Sequence, residues 1–263
     1  MGPVTAVDLG LELRRYNPGS QTLPTSEQFG PTIQGEGPLA GRLVQFVRFG
    51  LCNLSCSWCD TPYTWDTTRF DIKAECPPKT AQQIVDDALP GVIMVISGGE
   101  PLLHQGRPAW EYVLKGLAEK GCEIQLETNG TIFPNAVTRR YVDHASISPK
   151  LANAGDHRGR NAALTPLWSA FVNSDPAPGH ARWPLQRNAA LKFVVADADD
   201  VRQAVDYAND HNWPLSQTWV MPLGTSTEEL QARWPEIART AADLHINATH
   251  RIHVLAFGDV KGT

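Results

Sequence analysis

A short loop carrying three cysteines constrains this chain more than any other feature. Cys52, Cys56 and Cys59 follow the apolar run 43–49 with the spacing C-x3-C-x2-C. Thiolates are soft ligands that suit zinc or an iron–sulfur cluster. Three thiolates are one short of a closed four-ligand shell. Either a distant residue completes the site, or one metal position stays open for a reactant.

The cysteine count favours metal chemistry over disulfides. Five cysteines are present, an odd number, and three of them fall within eight residues. This pattern indicates a metal site in a reducing compartment. Cys122 opens an apolar run and is expected in the core. Cys76 lies in a predicted loop and is the candidate fourth ligand if the metal is zinc.

Bulk composition fits one large globular domain. The 263 residues can build a single large α/β core, and 42% hydrophobic with 19% charged residues is ordinary for such proteins. A formal net charge of -5 does not suggest a nucleic-acid partner. No apolar run is long enough to cross a bilayer, and residues 1–24 contain no signal-peptide core. We therefore expect a cytoplasmic protein without a nucleic-acid or membrane partner.

Apolar segments alternate with amphipathic ones, which predicts an α/β fold. Capping-box spacing marks two helix starts, at residues 80 and 226, and Pro235 is expected to break or kink the second helix. The pattern predicts βαβ units in an incomplete, modified (β/α) barrel with mostly parallel strands. Residues 1–30 are expected to be a loosely attached leader, and residues 31–263 one domain. The irregular stretch at about 152–188 is expected to be an insertion or a poorly packed surface segment. The predicted strands are 43–49, 92–96, 123–126, 145–148, 190–195, 218–221 and 252–256, and the predicted helices are 80–89, 110–120, 199–212 and one from 226 onward.

Polar motifs follow several of these strands. They are 97–101 (SGGEP), 127–130 (ETNG), 146–150 (SISPK) and 221–224 (MPLG). Each motif alone is typical of turn chemistry at a strand end. Ligands in parallel α/β folds bind at the carboxyl ends of the strands. Together the motifs therefore predict an active site at the mouth of the barrel.

The ordered set of motifs resembles the 7-carboxy-7-deazaguanine synthases, a family of radical S-adenosylmethionine (radical SAM) enzymes. The resemblance rests on 32–37 (TIQGEG), Arg48, the cysteine loop with Cys59-Asp60-Thr61, and the GGEP, ETNG and 148–150 (SPK) segments. The TIQGEG segment before the cysteines and the CDT run after them are the most specific pair. The resemblance extends from Gln34 towards the C-terminus.

The resemblance implies a defined reaction and cofactor set. The family are carbon–nitrogen lyases of deazapurine biosynthesis, as in the queuosine pathway, and convert 6-carboxy-5,6,7,8-tetrahydropterin to 7-carboxy-7-deazaguanine and ammonia. They are homodimers that need a 4Fe-4S cluster, S-adenosylmethionine, Mg2+ and a one-electron donor such as flavodoxin or ferredoxin. The cluster supplies one electron to cleave S-adenosylmethionine, and the resulting radical takes hydrogen from C6 of the pterin.

The resemblance also implies roles for individual residues, carried over by position. Cys52, Cys56 and Cys59 would hold the cluster, and Thr61 would offer its hydroxyl to Mg2+. The chain's own terminal carboxylate, at Thr263, would reach the substrate. The other substrate residues would be Ile33, Gln34, Gly35, Arg48, Ser97 and His253. The residues around S-adenosylmethionine would be Trp58, Asp60, Gly99, Glu100, Ser148, Pro149, Lys150, Met221, Pro222, Leu223 and Gly224.

Two other hypotheses stay open at this point. Radical SAM activases of glycyl-radical enzymes also use C-x3-C-x2-C, although the QGEG segment and Thr61 favour the synthase. A zinc-stabilised binding module, with Cys76 or a histidine as fourth ligand, belongs to a different functional class. That hypothesis leaves the motifs at the strand ends unexplained.

Overall fold

A nine-stranded sheet flanked by helices forms the framework of the molecule. The computed structural model describes residues 17–176, 183–258 and 260–262. The strands are β1 Thr22–Ile33, β2 Leu43–Phe49, β3 Pro78–Thr80, β4 Ile93–Gly98, β5 Ile124–Thr128, β6 His144–Ile147, β7 Ala189–Val195, β8 Thr218–Pro222 and β9 Asn247–Ala248. The helices are α1 Ile72–Glu75, α2 Ala81–Asp86, α3 Pro108–Glu119, α4 Ala136–Tyr141, α5 Pro166–Asn173, α6 Pro184–Arg187, α7 Ala198–Asp210, α8 Thr227–Asp243 and α9 Ile252–Phe257.

The topology is that of an open, mostly parallel barrel sheet. Its strand order is β3-β1-β2-β4-β5-β6-β7-β8-β9. Every pairing from β2 to β9 is parallel, whereas β1 runs antiparallel to both β2 and β3. In the part of the chain described, β3 and β9 lie at opposite ends of this order and do not pair, so the barrel does not close. The predicted fold class, an incomplete and mostly parallel barrel, is confirmed.

Strand alternation separates the core from the interior of the partial barrel. Val47 on β2, Ile96 on β4 and Leu126 on β5 are fully buried and pack with Trp110 and Leu114 of α3. Because successive side chains on a strand face opposite sides, the residues between these apolar positions face the barrel interior. That interior side carries polar groups, and it is where the candidate site lies.

Helix starts follow the sequence signals closely. Thr80 caps α2 in a capping box with Gln83, and Ser226 caps α8 through the backbone N–H of Glu229. Pro235 was expected to break or kink this helix; the break is wrong, because α8 continues through Pro235 to Asp243. A proline removes one backbone hydrogen bond, and burial of the apolar face of α8 offsets that loss. The buried side chains of that face are Leu230, Ile237 and Ala241.

The leader predicted for residues 1–30 does not extend that far. Residues 22–30 belong to β1, which pairs with β2 along most of its length. Pro24, Gly30 and Pro31 hid this strand, because proline and glycine are signals of loops rather than strands. Residues 1–16 lie outside the described part of the chain.

The described parts of the segment 152–188, residues 152–176 and 183–188, are packed, so the expectation of a poorly packed surface segment is wrong there. The segment contains α5 and α6, and Trp168 of α5 is fully buried. The indole N–H of Trp168 donates to the Ile132 carbonyl at 3.2 Å, and its ring meets Phe133 edge-on. A single buried residue such as Trp168 in a mostly polar segment produces no hydrophobic periodicity. The sequence therefore did not indicate that this segment packs against the core.

The last predicted strand is also wrong. Residues 252–256 lie in α9, and the adjacent strand is the short β9 at Asn247–Ala248. Short apolar runs do not distinguish strand from helix by periodicity.

No helix in the described ranges is long and apolar enough to span a membrane.

Candidate active site

A cavity of about 340 Å³ opens at the carboxyl ends of the parallel strands. All three loop cysteines line it. Side chains from the QGEG segment, from the strand ends and from α9 face the same space. Segments that are distant in the sequence therefore meet at one place, which is the arrangement expected for a barrel-mouth active site.

The cysteine loop presents its sulfur atoms to this cavity. Cys52 Sγ accepts a hydrogen bond from the Leu54 backbone N–H at 3.4 Å, and Cys59 Sγ accepts one from the Trp65 indole N–H at 3.3 Å. Burial raises the pKa of Cys52 to about 12 and also raises the pKa of Cys56. A bound metal deprotonates a coordinating thiol outright, so these buried thiols suit a metal that supplies positive charge.

Two glycines allow the end of β4 to lie against the cysteine loop. Gly99 N–H donates to the Phe49 carbonyl at 3.0 Å, and Glu100 N–H donates to the Leu51 carbonyl at 2.8 Å. A Cβ on Gly99 would lie only 2.1 Å from the Leu51 oxygen. The GGEP segment thus supports the loop through backbone contacts that only glycine at this position permits.

Glu100 lies beneath the cavity rather than in its lining. It is fully buried and accepts hydrogen bonds from the Asn129 and Leu102 backbone N–H groups and from the Thr128 hydroxyl. Burial raises its pKa to about 7, even though these donors favour the carboxylate. Glu100 therefore joins the GGEP segment to the ETNG segment.

The QGEG segment is fixed by polar groups of the barrel interior. Gln34 donates through Nε2 to Gln125 Oε1 at 2.8 Å and to Glu127 Oε1 at 3.3 Å. Ser97 Oγ donates to the other oxygen of Glu127 at 2.8 Å. The sequence indicated the segment 127–130 but did not assign a role to the Glu127 carboxylate itself.

Glu36 is the centre of a second, charged network. Lys192 Nζ lies 2.6 Å from one of its oxygens, and Arg251 Nε lies 2.8 Å from the other. Arg251 also reaches Asp60 at 2.6 Å and donates to the Gly224 carbonyl at 2.7 Å. Burial raises the pKa of Glu36, but the charges of Lys192 and Arg251 outweigh burial and hold it well below its usual value.

Sequence reasoning missed both cations of this network. Lys192 has one visible signal, because it is the only charged residue in the apolar strand AALKFVV, and a lysine there requires a buried partner. Arg251 has no comparable signal. Its acidic partners are 215 and 191 residues away in the chain.

Arg48 projects from β2 into the cavity and already has an acidic partner. Its Nε lies 2.6 Å from Glu27 Oε1, and the Tyr63 hydroxyl donates to the same oxygen at 3.3 Å. Burial lowers the pKa of Arg48, but Tyr63, Glu27 and Asp60 together leave it raised. Glu27 falls within the predicted leader and belongs to none of the motifs, so it was not selected as a site residue.

Comparison with known proteins decides the family. Residues 46–151 match the Radical SAM superfamily. A 7-carboxy-7-deazaguanine synthase from Pyrobaculum aerophilum is 32% identical over 240 residues, covering 88% of this chain and 93% of that protein. The chain belongs to the 7-carboxy-7-deazaguanine synthase family. The enzyme of the same name from Bacillus subtilis is 39% identical over 191 residues, covering 69% of this chain and 70% of that one.

A solved structure supports the same fold for this family member. The crystal structure of QueE from Escherichia coli superposes with a TM-score of 0.58 at 20% sequence identity, covering 87% of this chain and 93% of that one. Radical SAM membership implies a 4Fe-4S cluster and S-adenosylmethionine. The relatives' names do not favour the glycyl-radical activase hypothesis.

Most residues that the family resemblance selected line the cavity, but some do not. Lys150 Nζ donates to Ser148 Oγ at 2.9 Å and lies 5.3 Å from the centre of the Trp58 ring. The predicted residues in the lining are Ile33, Gln34, Gly35, Arg48, Cys52, Cys56, Trp58, Cys59, Asp60, Thr61, Ser97, Gly99, Ser148, Lys150, Met221 and His253. The predicted residues outside the lining are Glu100, Pro149, Pro222, Leu223 and Gly224.

Two of these family-derived residues lie near the chain end. His253 sits on α9, not on a strand, and its buried Nδ1 has no hydrogen-bond partner in the described chain. It packs against Gly35, whose added Cβ would overlap the imidazole ring. Thr263 lies outside the described residues, whereas Val260, Lys261 and Gly262 line the cavity.

The zinc hypothesis finds no support in the site geometry. Cys76 is buried at the end of α1, with its Sγ 4.0 Å from the Tyr63 carbonyl, and it does not line the cavity. Across residues 17–176, 183–258 and 260–262, no three His, Cys, Asp or Glu side chains are arranged around a single ion position. Zinc needs its ligands on one tetrahedron, whereas a cluster distributes three thiolates over separate irons.

Proposed function

We propose that this chain is a radical SAM carbon–nitrogen lyase that converts 6-carboxy-5,6,7,8-tetrahydropterin to 7-carboxy-7-deazaguanine with release of ammonia. One observation supports this above the others. In a chain of the 7-carboxy-7-deazaguanine synthase family, the three loop thiols share one cavity with Gln34, Glu36 and Arg48. Cluster ligands and groups that can recognise a carboxylated pterin therefore face each other.

The cofactor end of the cavity is assigned to the cysteine loop. Cys52, Cys56 and Cys59 would hold the cluster, which together with S-adenosylmethionine supplies the radical chemistry when bound. Lys150 brings a positive charge near this end, over the Trp58 ring. Glu100 would act from beneath as an acceptor, held by the backbone of Asn129. The protein's own contribution is to position these groups and to exclude water.

The substrate end is assigned to polar groups of the interior. Arg48 offers a planar fork of donors suited to a carboxylate. Gln34 and Glu127 together offer donor and acceptor atoms that suit the amide and amine edge of a pterin. Lys192 Nζ lies 3.8 Å from Glu127 Oε1 and places a positive charge beside that carboxylate at this end of the cavity.

The proposal also includes Mg2+, a redox partner and an assembly. Thr61 Oγ1 lies 3.7 Å from Cys59 Sγ and presents a hydroxyl, which is an acceptable ligand for a hard cation that keeps several waters. A one-electron donor such as flavodoxin or ferredoxin would reduce the cluster. Homodimeric assembly, which the family resemblance implies, and a cytoplasmic location, which the sequence composition suggests, complete the proposal.

Anaerobic reconstitution tests this function. Protein loaded with iron and sulfide should turn brown and, with reductant and S-adenosylmethionine, convert the carboxytetrahydropterin and release ammonia. Cys56→Ala should abolish both the colour and the turnover. A reconstituted, reducible protein that leaves this pterin unchanged would contradict the substrate assignment. Unchanged Mg2+ dependence in Thr61→Ala would contradict the metal assignment only.

A further inference from the structure

The guanidinium of Arg48 is paired with a carboxylate of the protein itself. Arg48 and Glu27 have side chains only 18% and 11% exposed, and both line the cavity. The antiparallel register of β1 and β2 places the two residues directly opposite each other. Residues opposite each other on neighbouring strands are held within contact distance by the sheet. The pair is therefore built into the fold and is not a chance meeting of flexible side chains.

The ion pair with Glu27 involves one guanidinium nitrogen of Arg48, and the two terminal nitrogens remain as donors for a ligand. Arg48 Nε contacts Glu27 Oε1 at 2.6 Å. Within the described ranges no further hydrogen bond joins this guanidinium to another residue. Its two terminal nitrogens are the donors that form a bidentate pair with a carboxylate. Glu27 thus holds the guanidinium from one side while the fork remains for a ligand.

The position of Glu27 is itself fixed. The Tyr63 hydroxyl donates to the same Oε1 atom at 3.3 Å. Lys261 Nζ lies 4.4 Å from the centre of the Tyr63 ring, and both residues line the cavity. An arginine that is held in this way loses less conformational entropy when a ligand binds than a free one would.

We propose that Glu27 is a positioning residue that gives the site its selectivity for a carboxylated pterin. It orients Arg48 so that the terminal nitrogens meet the carboxylate of the ligand. This inference rests on the proposed function, since it takes Arg48 as the carboxylate-binding group. The opposing physical case is competition, in which Glu27 occupies Arg48 and only weakens ligand binding through its charge.

Two substitutions separate orientation from charge. Glu27→Gln and Glu27→Ala both remove the negative charge, but only glutamine keeps an acceptor oxygen for Arg48 Nε. Binding is measured without oxygen on reconstituted enzyme with S-adenosylmethionine, by the fluorescence of 6-carboxypterin and of pterin lacking the carboxylate. Loss of a hydrogen bond to a charged group predicts that 6-carboxypterin binds Glu27→Ala about tenfold more weakly than Glu27→Gln. Pterin should bind the two variants equally.

Control variants make the result specific. In an Arg48→Lys background, where no fork exists to orient, the difference between the two Glu27 variants should vanish. Glu123→Gln removes an exposed carboxylate that pairs with His144 outside the cavity lining, and should change neither affinity. If Glu27→Ala fails to fold, Tyr63→Phe removes the second donor to Glu27 and should weaken binding of 6-carboxypterin alone.

The outcomes that overturn the inference are distinct. Equal affinity of both Glu27 variants for 6-carboxypterin would establish competition or charge alone. If Glu27→Ala bound pterin without the carboxylate more weakly than Glu27→Gln by the same factor as 6-carboxypterin, the substitution would have distorted the cavity in general. A wild-type enzyme that binds neither ligand would refute the proposed function, and the Glu27 inference with it. A wild-type enzyme that binds 6-carboxypterin, with no difference between the variants, would refute the Glu27 inference only.

Discussion

Arg251 illustrates how one side chain joins segments that the sequence shows only as separate motifs. It contacts Glu36 of the QGEG segment, Asp60 of the CDT run and the Gly224 carbonyl after β8. The Arg251 side chain is only 8% exposed. Because a buried charge needs partners, these contacts hold three parts of the cavity wall in fixed relation.

Removing Arg251 should therefore destabilise the whole fold. Arg251→Met leaves the buried Glu36 with Lys192 as its remaining cation and leaves the Gly224 carbonyl without this donor. Breaking a buried ion pair from one side costs about 3 kcal/mol or more of unfolding free energy. Urea unfolding measures the loss. The control is Arg202→Met, which breaks an exposed pair and should cost less than about 1 kcal/mol. Equal losses in both variants would contradict this prediction.

Glu100 should make stability fall as pH rises. Its folded-state pKa is raised by burial to about 7, above its ordinary value of 4.5. Between these values the folded state binds more protons than the unfolded state, so the unfolding free energy decreases from about pH 4.5 to about pH 7. The full loss corresponds to roughly 3 kcal/mol. Urea unfolding of cluster-free wild type and Glu100→Gln, compared across this range, measures it.

The comparison between wild type and Glu100→Gln isolates this carboxyl from the other titrating groups. The difference in stability should shift in favour of the variant as pH rises. Glu119→Gln, which changes a carboxyl that is 67% exposed on α3, serves as control and should leave the difference flat. A pH-independent difference for Glu100→Gln would show that its pKa is not raised in the folded protein.

At the scale of elements, the sequence predicted the helices and strands that are marked by a local residue pattern. The apolar run 43–49 forms β2 with the predicted bounds, and Thr80 of the predicted capping box is the N-cap of α2. β1 was missed, because Pro24, Gly30 and Pro31 within it are local signals of loops. α9 was taken for a strand because six residues are too few to show a period.

The residues of the candidate site also fall into two groups, those marked by local sequence motifs and those that depend on distant partners. The cysteines and the strand-end motifs could be read from the sequence, because family resemblance marks them and each lies within a few residues. Glu27 and Arg251 could not be selected, since their roles arise from partners brought close by sheet register and helix packing. Lys192 was missed although it is the only charged residue in an apolar strand. Long-range pairing of this kind leaves no periodic trace in one sequence.

The contact between β4 and the cysteine loop gives a prediction at this scale. Gly99→Ala would place a Cβ 2.1 Å from the backbone oxygen of Leu51, and a backbone atom cannot move aside as a flexible side chain can. We expect the cysteine loop to shift and the reconstituted protein to hold less iron, as measured by iron and sulfide analysis. Gly106→Ala is the matched control, because no heavy atom lies within 4 Å of its added Cβ. Equal iron content in both variants would contradict the expectation.

At the scale of the whole molecule, the long connection between β6 and β7 is part of the packed structure. Leu164 N–H donates to the Tyr207 hydroxyl of α7, and Trp168 packs against the loop that follows β5. The connection therefore ties α7 to the loop after β5. These contacts do not fit the expectation of a poorly packed surface segment.

A pair of tryptophan variants tests this role. Trp168→Ala removes a fully buried side chain and should lower the free energy of unfolding by about 3–5 kcal/mol, as for other large core truncations. Trp183, near the other end of the same segment, is 45% exposed, and Trp183→Ala should cost less than about 1 kcal/mol. Urea unfolding of both variants measures the difference. Similar values for the two would mean that the segment is not integrated into the core.

The end of the chain forms part of the cavity wall. Gly258, Val260, Lys261 and Gly262 line the cavity, and Lys261 lies over the Tyr63 ring and 3.5 Å from Glu75. These contacts involve exposed or half-buried groups, so they contribute little to global stability. These residues line the cavity beside Tyr63, at the end that we propose holds the substrate. Enclosure of radical chemistry excludes water and oxygen.

Removing the residues after Gly258 should therefore affect access to the site and leave the fold intact. The free energy of unfolding should change by less than about 1 kcal/mol, because the contacts of Lys261 with Tyr63 and Glu75 involve exposed or half-buried groups. In the same variant the KM for the pterin should rise, and the reconstituted cluster should bleach faster in air, as followed by its visible absorbance. Lys261→Gln keeps the chain length but removes the contact with Tyr63, and should give a smaller change in the same direction. Unchanged KM and bleaching in the truncated protein would show that the tail does not enclose the cavity.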